Sequence, residues 1–246
     1  LAGPDARDLL QRIGTNDLSA LRPGVVAGTV LTTEKGRIVD VLSVVMEEND
    51  RLLVLCESRN ARTTQERIEK FIIMEEVRVE PTSGQFSRYF VFGNDRQDNP
   101  RFPPLGESTV RRTHDREELG ELVLFRDPWR GRHLCQVLSF RSGGPADPCS
   151  VAEYLVLRPA GEADWETFRV CRGIPAVPAE LNLNHTPLES DVGSLVSFTK
   201  GCYIGQEVIA RLDAYEKVRW KLCLMEIHGD PGGVPVSLER GGEEVG

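Results

Sequence analysis

VVAGTVLTTEKGRIVDVLSVV, Val25 to Val45, is the stretch on which the fold turns. Two runs rich in β-branched residues, VVAGTVLTT and RIVDVLSVV, flank Glu34-Lys35-Gly36. β-Branched side chains favour extended backbone, and a glycine at the end of a short polar link takes the positive φ that a tight connection needs. The stretch therefore reads as an antiparallel hairpin. Upstream, PDARDLLQRIG (residues 4–14) places Ala6, Leu9, Leu10 and Ile13 on one helical stripe, with Pro4 suited to the first turn and Asp5 to the helix dipole. Downstream, the polar turn EEND leads to a third strand, RLLVLC. Ser58 or Asn60 can cap a helix running through Met74, with Ile68, Phe71 and Ile72 on its apolar face, and VRVE supplies another strand that Pro81 ends. This is an α+β unit over residues 1–82. It opens as if in mid-element, so a first strand is expected before Leu1.

YFVFG starts a second unit, residues 83–218. Its loops at Asn99 to Leu105 and Ser142 to Pro148 are rich in Pro and Gly, and a helix is expected from Asp164 to Cys171. From Gly173 to Leu195 the chain is irregular, because Pro175, Pro178 and Pro187 exclude a long helix. Ordered loops of that length are usually functional. WKLCLMEI, residues 220–227, alternates weakly as a strand, and GDPGGVPVSLERGGEEVG resembles a hairpin whose sheet is incomplete. Residues 219–246 thus read as the start of a C-terminal β unit.

Composition narrows the function. The 246 residues carry a formal net charge of -8, which argues against a broad nucleic-acid surface, although RDPWRGRH (Arg126 to His133) is locally basic. No apolar run approaches a membrane span and no secretory leader is visible, so no membrane and no direct nucleic-acid partner are expected. Cys56, Cys135, Cys149, Cys171, Cys202 and Cys223 form no Cys-x-x-Cys, and no histidine stands at finger spacing from a pair. No metal site is expected. Scattered thiols fit a reducing cytoplasm, a bacterial cytosol ahead of a mitochondrial matrix.

One cysteine is framed differently. In SFTKGCYIGQEVIARL, Ser197 to Leu212, Gly201 and Gly205 bracket Cys202, and a helical pattern begins near Gly205 with Val208, Ile209, Leu212 and Tyr215 on one side. Glu207 and Arg211 have the spacing of an i,i+4 pair. A thiol ahead of a helix N-terminus and two residues from Lys200 is biased toward thiolate, the nucleophilic form. The competing reading is a buried cysteine packing as a small hydrophobe. No local His or Asp completes a nucleophile–base pair.

The run Lys200-Gly201-Cys202-Tyr203-Ile204-Gly205-Gln206-Glu207 resembles the signature of the YgfZ family of folate-binding proteins, relatives of the glycine-cleavage T protein, an aminomethyltransferase. LAGPDARDLLQRIGTNDLSALRPG, LTTEKGRIVDVLSVV, RVCRGIP and PLESDVGSLVSF resemble other parts of that family in the same order. The resemblance covers most of the chain and is weakest between residues 95 and 160. It implies a three-part cloverleaf around a central hole that binds tetrahydrofolate or a folate derivative, and a monomer. It also implies a role in assembling or repairing iron–sulfur enzymes, including ones that modify tRNA, with iron–sulfur client or assembly proteins as partners.

The resemblance places Trp165, Glu189 and Asn16 at the folate. An indole can stack on a pterin, and a carboxylate can pair with its guanidine-like edge. The alternatives are a core tryptophan and a solvated loop carboxylate. The aminomethyltransferases have an Asp-Asp pair after the hairpin turn, where this chain reads Val39-Asp40, leaving Asp40 as the acid/base candidate or a structural group. Their Tyr-Thr-Gly-Glu has no counterpart in WRGRHLCQVLSFRSGG, and their Arg-x-Glu-Ala reads Arg169-Val-Cys-Arg172. They also lack the cysteine motif. The leading expectation is a folate-dependent iron–sulfur factor with Cys202 as its reactive group, followed by a one-carbon transferase and a non-catalytic scaffold.

Overall fold

The computed structural model describes residues 1–48, 50–82, 84–93, 102, 105–114, 119–131, 133–141, 146–226, 228, 239–240 and 243–244. Two antiparallel sheets stack with helices on their outer faces. α1 (Ala6–Ile13) buries the expected stripe of Ala6, Leu9, Leu10 and Ile13. The hairpin pairs β1 (Val26–Thr32) with β2 (Ile38–Met46), Gly36 sits at φ +68° in the link, and β3 (Leu52–Leu55) pairs with β2. α2 (Ala61–Glu69) follows a 3-10 turn at Ser58–Asn60. The second sheet has the order β4–β7–β6–β5, with β4 Ser87–Phe92, β5 Val110–His114, β6 Glu121–Arg126 and β7 Leu134–Phe140.

Strand alternation explains the layers. Leu31, Leu42 and Val44 face the two helices and pack with Leu9, Leu10 and Ile68. Val26, Val45 and Leu55 face the other way, onto Val123, Phe125 and Leu138 of the second sheet. The outer face of that sheet, Leu122, Leu124 and Val137, is covered by Val151 and Leu155 around α3 (Pro148–Tyr154). The sheets also meet at an edge, where the Val26 N–H donates to Ser108 O at 2.9 Å and the Val110 N–H to Gly24 O at 2.9 Å. α4 (Glu162–Cys171) and α5 (Gln206–Ala214) bound the irregular segment, which buries Leu181, Val192 and Leu195 against Val30, Ile38 and Val41.

Four local expectations are corrected. α2 stops at Glu69 rather than Met74, since Ile73 and Met74 are 83% and 91% exposed and have nothing to bury against. Asn60 stands at its N-cap without a side-chain cap bond and donates instead to Val39 O. VRVE makes one bridge, Arg78 with Ala2, rather than a strand. Residues 220–226 form no strand: the Leu222 N–H bonds Glu189 O, but no ladder forms, and Trp220, Leu224 and Met225 are exposed. Conversely α3, where the sequence suggested no element beyond the loop ending at Pro148, is started by Asp147, whose carboxylate accepts from the Ser150 N–H at 2.9 Å with Pro148 in the first turn. Most of the C-terminal hairpin lies outside the described residues; Glu239–Arg240 pairs antiparallel with Glu243–Glu244.

Candidate functional site

Asn16 and Asp17, in the loop after α1, and the start of β1 form one wall of a cavity of about 540 Å³. Asn16 Nδ2 donates to Gly28 O at 2.7 Å, and the Asn16 N–H donates to Thr29 Oγ1 at 3.1 Å. Asp17 accepts from the Ser19 N–H at 2.9 Å, the largest of the causes that hold its carboxyl below the usual range. A Cβ on Gly28 would lie 2.8 Å from Leu195 Cδ2, so this glycine admits the close approach of Leu195, which also lines the cavity.

The opposite wall is the link between β6 and β7. Asp127 Oδ1 accepts from the Trp129 and Arg130 N–H groups at 3.0 and 2.7 Å, and Gly131 takes φ +90°. That turn directs Trp129 to the cavity beside Arg126. Trp129 Nε1 and Arg126 Nε are both buried with no hydrogen-bond partner among the described residues. Both nitrogens are closed to solvent, so Trp129 and Arg126 line the cavity without presenting these two N–H groups to it.

Behind Trp129 lies a charged and aromatic ladder. The Arg130 guanidinium lies 3.8 Å from the Trp129 ring centroid and 5.0 Å from that of Phe90, and it pairs with Asp127 at 2.9 Å and with Glu57. Gln136 ties Asp127, at 2.7 Å, to Ser43 of the first sheet at 3.2 Å. Phe90 in turn stacks on Trp165, with centroids 5.5 Å apart and planes 8° apart.

The three residues expected to hold folate are therefore not gathered in one place. Asn16 lines the cavity. Trp165 does not; it is half-buried among Phe90, Phe92 and Phe168. Glu189 accepts from the Thr186 N–H at 2.7 Å, from the Thr186 hydroxyl at 3.0 Å and from Arg37 at 3.2 Å. It lines a separate groove of about 500 Å³ with Lys35, His185, Lys217 and Arg219. Asp40 is fully buried, accepting from the Thr64 hydroxyl at 2.6 Å and the Val41 N–H at 2.9 Å. Burial pushes its carboxyl up to about 6, against the opposing effect of those bonds.

The cysteine motif is a short excursion between two buried anchors. Cys202 is exposed, Lys200 and Tyr203 are buried, and α5 starts at Gln206 after Gly205 at φ +81°. A Cβ at Gly205 would lie 2.6 Å from Thr33 O, so the helix start is seated against the hairpin turn. Gly201 faces open space and needs no positive φ, so only one of the two glycines is required by geometry. Ile209 is the one fully buried member of the expected stripe, while Tyr215 is 65% exposed. No ion pair joins the exposed Glu207 and Arg211 among the described pairs. Gln206 Oε1 accepts from the Tyr203 N–H at 3.3 Å, closing the turn. Burial pushes the Tyr203 phenol up to about 12, and its hydroxyl has no partner among the described residues.

Lys200 departs furthest from expectation. Its ammonium donates to the carbonyls of Gln11, Gly14 and Asn16 at 2.5, 2.8 and 2.7 Å, so its hydrogen bonds go to backbone rather than to the thiol. Burial pushes this amine down to about 8, which still leaves it charged at neutral pH. Among the described residues no group of three or more His, Cys, Asp or Glu side chains could hold a metal ion. Sequence reasoning missed Trp129 and Arg126; the signal was Asp-Pro-Trp-Arg-Gly, a turn between two apolar strands, read only as a basic patch.

Residues 1–97 match the family model of the GCVT N-terminal domain. A putative chloroplastic transferase of Arabidopsis thaliana is 36% identical over 90 residues, covering 36% of this chain and 20% of the relative. A mitochondrial iron–sulfur cluster assembly factor, IBA57 of Mus musculus, is 28% identical over 271 residues, covering 99% of this chain and 69% of the relative. The crystal structure of the glycine cleavage system aminomethyltransferase T from Bartonella henselae superposes with a TM-score of 0.62 at 16% identity, over 87% of this chain and 60% of that one. The chain thus spans between a fifth and about two thirds of the relatives' lengths.

Proposed function

Proceeding from a chain that belongs to the GcvT-like superfamily, we propose that it binds a tetrahydrofolate and acts in the assembly or repair of iron–sulfur enzymes. The observation that carries the ligand is the cavity between the Asn16 loop and the Trp129 turn, lined by an amide, an indole and a guanidinium-bearing side chain. A reduced folate is a flat, heteroatom-rich ligand that carries a one-carbon unit on its ring nitrogens. The Trp129 indole offers it an aromatic surface, Arg126 offers a cationic side chain, and Asn16 fixes the facing wall. The iron–sulfur role draws support from the likeness to the mouse assembly factor along nearly the whole chain, and from the exposed Cys202 on its anchored turn.

The transferase reading is weaker for a physical reason. Its one remaining carboxylate, Asp40, lies fully buried, joined to the helix that covers it, with no face open to a reacting group. The test is a tetrahydrofolate titration followed by thermal melting, because a ligand that binds only the folded state raises the melting point by mass action. Wild type should be stabilised, and Trp129→Ala should lose most of that shift. No shift in folded wild-type protein would remove folate from the reading.

A further inference from the structure

Lys200 occupies the point where the cavity wall and the thiol turn meet. Gln11 and Gly14 supply carbonyls left over at the end of α1, where a helix carries partial negative charge. The third carbonyl belongs to Asn16, which lines the cavity. An ammonium has three N–H donors, and here each has one acceptor. Beside it, the Thr15 hydroxyl donates to Leu195 O at 2.7 Å and accepts from the Val30 N–H at 3.1 Å, while Thr15 O accepts from the Ser197 N–H at 3.0 Å. Ser197 Oγ then accepts from the Lys200 N–H at 3.2 Å. A closed set of bonds therefore runs from two cavity-lining residues, Asn16 and Leu195, to the residue that anchors the Cys202 turn on its N-terminal side.

The other anchor is independent of the cavity. Ile204 O accepts from the Thr32 hydroxyl at 2.5 Å, and Gly205 is seated against the hairpin link. Gly201 and Cys202 hang between a support that belongs to the cavity wall and one that belongs to the hairpin.

We propose that Lys200 is a positioning residue that makes the order of the cavity wall and the exposure of the Cys202 thiol one coupled event. A ligand that holds Asn16 and Leu195 also holds the three carbonyls about the ammonium, and so restricts the span that presents the thiol. By linkage, modification of Cys202 feeds back on the cavity. The inference concerns how the proposed folate site and thiol communicate, and it rests on that reading only for the identity of the ligand.

The test reads two places at once. Peptide-resolved amide hydrogen exchange follows residues 11–16, and the rate of maleimide labelling follows Cys202, in wild type, Lys200→Arg and Lys200→Met without ligand. Lys200→Met leaves three carbonyls without a donor, so both rates should rise by about tenfold, the opening expected when a buried anchor is lost. Lys200→Arg keeps the charge and several donors, and should recover part of both. A rise in one rate alone, in a folded variant, overturns the coupling. If Lys200→Met does not fold, Thr15→Val, which cuts the Leu195 contact, should raise the same two rates together, and a change confined to one again overturns it. Added tetrahydrofolate should slow both in wild type, and only exchange at residues 11–16 in Lys200→Met. Absence of any tetrahydrofolate effect in wild type defeats the folate reading and leaves the ligand-free comparison to decide the coupling.

Discussion

Asp40 Oδ2 accepts the Thr64 hydroxyl at 2.6 Å, tying the middle of the hairpin to the helix that covers it. The carboxyl is buried, and burial raises its pKa from 3.8 to about 6. A group whose folded pKa lies above its unfolded value favours the folded state most when protonated, below the unfolded pKa. That contribution is lost as pH rises through the folded pKa. Between about pH 4 and pH 7 the wild type should lose up to about 3 kcal/mol relative to Asp40→Asn, whose side chain does not ionise. Urea melts of both proteins across that range give the difference directly. A difference independent of pH would mean that Asp40 is solvated and not held as described.

The same burial bears on chemistry. Aminomethyl transfer to folate needs an acid or base beside the reacting nitrogen, and the Asp40 carboxyl is enclosed by Thr64 and the Val41 N–H. Folate-dependent release of ammonia from an aminomethyl-lipoyl donor should be undetectable. Turnover at enzyme-like rates that Asp40→Asn abolishes would promote the transferase reading.

Gly205→Ala should be among the most damaging single-methyl changes in the chain. Its φ of +81° is disfavoured for any side chain, and the new Cβ would lie 2.6 Å from Thr33 O, a backbone atom that cannot turn aside. The expected loss is about 2–4 kcal/mol, from left-handed backbone strain plus overpacking. Gly201→Ala, facing open space, should cost under about 1 kcal/mol. Equal losses in the two variants would contradict the seating of α5 on the hairpin link.

Trp165 separates packing from ligand binding. Stacked on Phe90 and flanked by Phe92 and Phe168, it holds α4 to the second sheet. Trp165→Ala should cost about 2–4 kcal/mol in aromatic contact and burial. It should leave the tetrahydrofolate-induced rise in melting temperature close to that of wild type. A lost ligand shift in a folded Trp165→Ala protein would return this residue to the folate site.

What the chain made legible follows from the range of its forces. The α1 stripe, the Gly36 hairpin and the Gly205 helix start are set by neighbours within a few residues, and each stands where the pattern put it. The α2 terminus and the 220–226 segment depend on a distant surface to bury against, which local alternation cannot supply. The site divides in the same way. Cys202 on a glycine-capped turn was readable, but the direction of Lys200 was not, because its acceptors are 184 to 189 residues away in the chain. Trp129 was hidden for the same reason: only the stacking of the second sheet on the first brings its turn opposite Asn16.

Cys202→Ser isolates the thiol from everything that holds it. The side chain is exposed, Lys200 and Tyr203 on either side are buried, and the serine hydroxyl is close in size to the thiol. Stability should change by less than about 0.5 kcal/mol, as for surface substitutions away from packed features. The stabilisation by tetrahydrofolate should persist, because the cavity walls at Asn16 and Trp129 are untouched. Support of iron–sulfur enzyme activity in cells that depend on this protein should nonetheless be lost, since a hydroxyl neither forms a thiolate nor binds soft partners as sulfur does. Cys223→Ser, another exposed thiol outside the motif, should leave that support intact. Full activity of Cys202→Ser beside a folded, folate-stabilised protein would reduce the motif to a packing device and leave the iron–sulfur role to some other group.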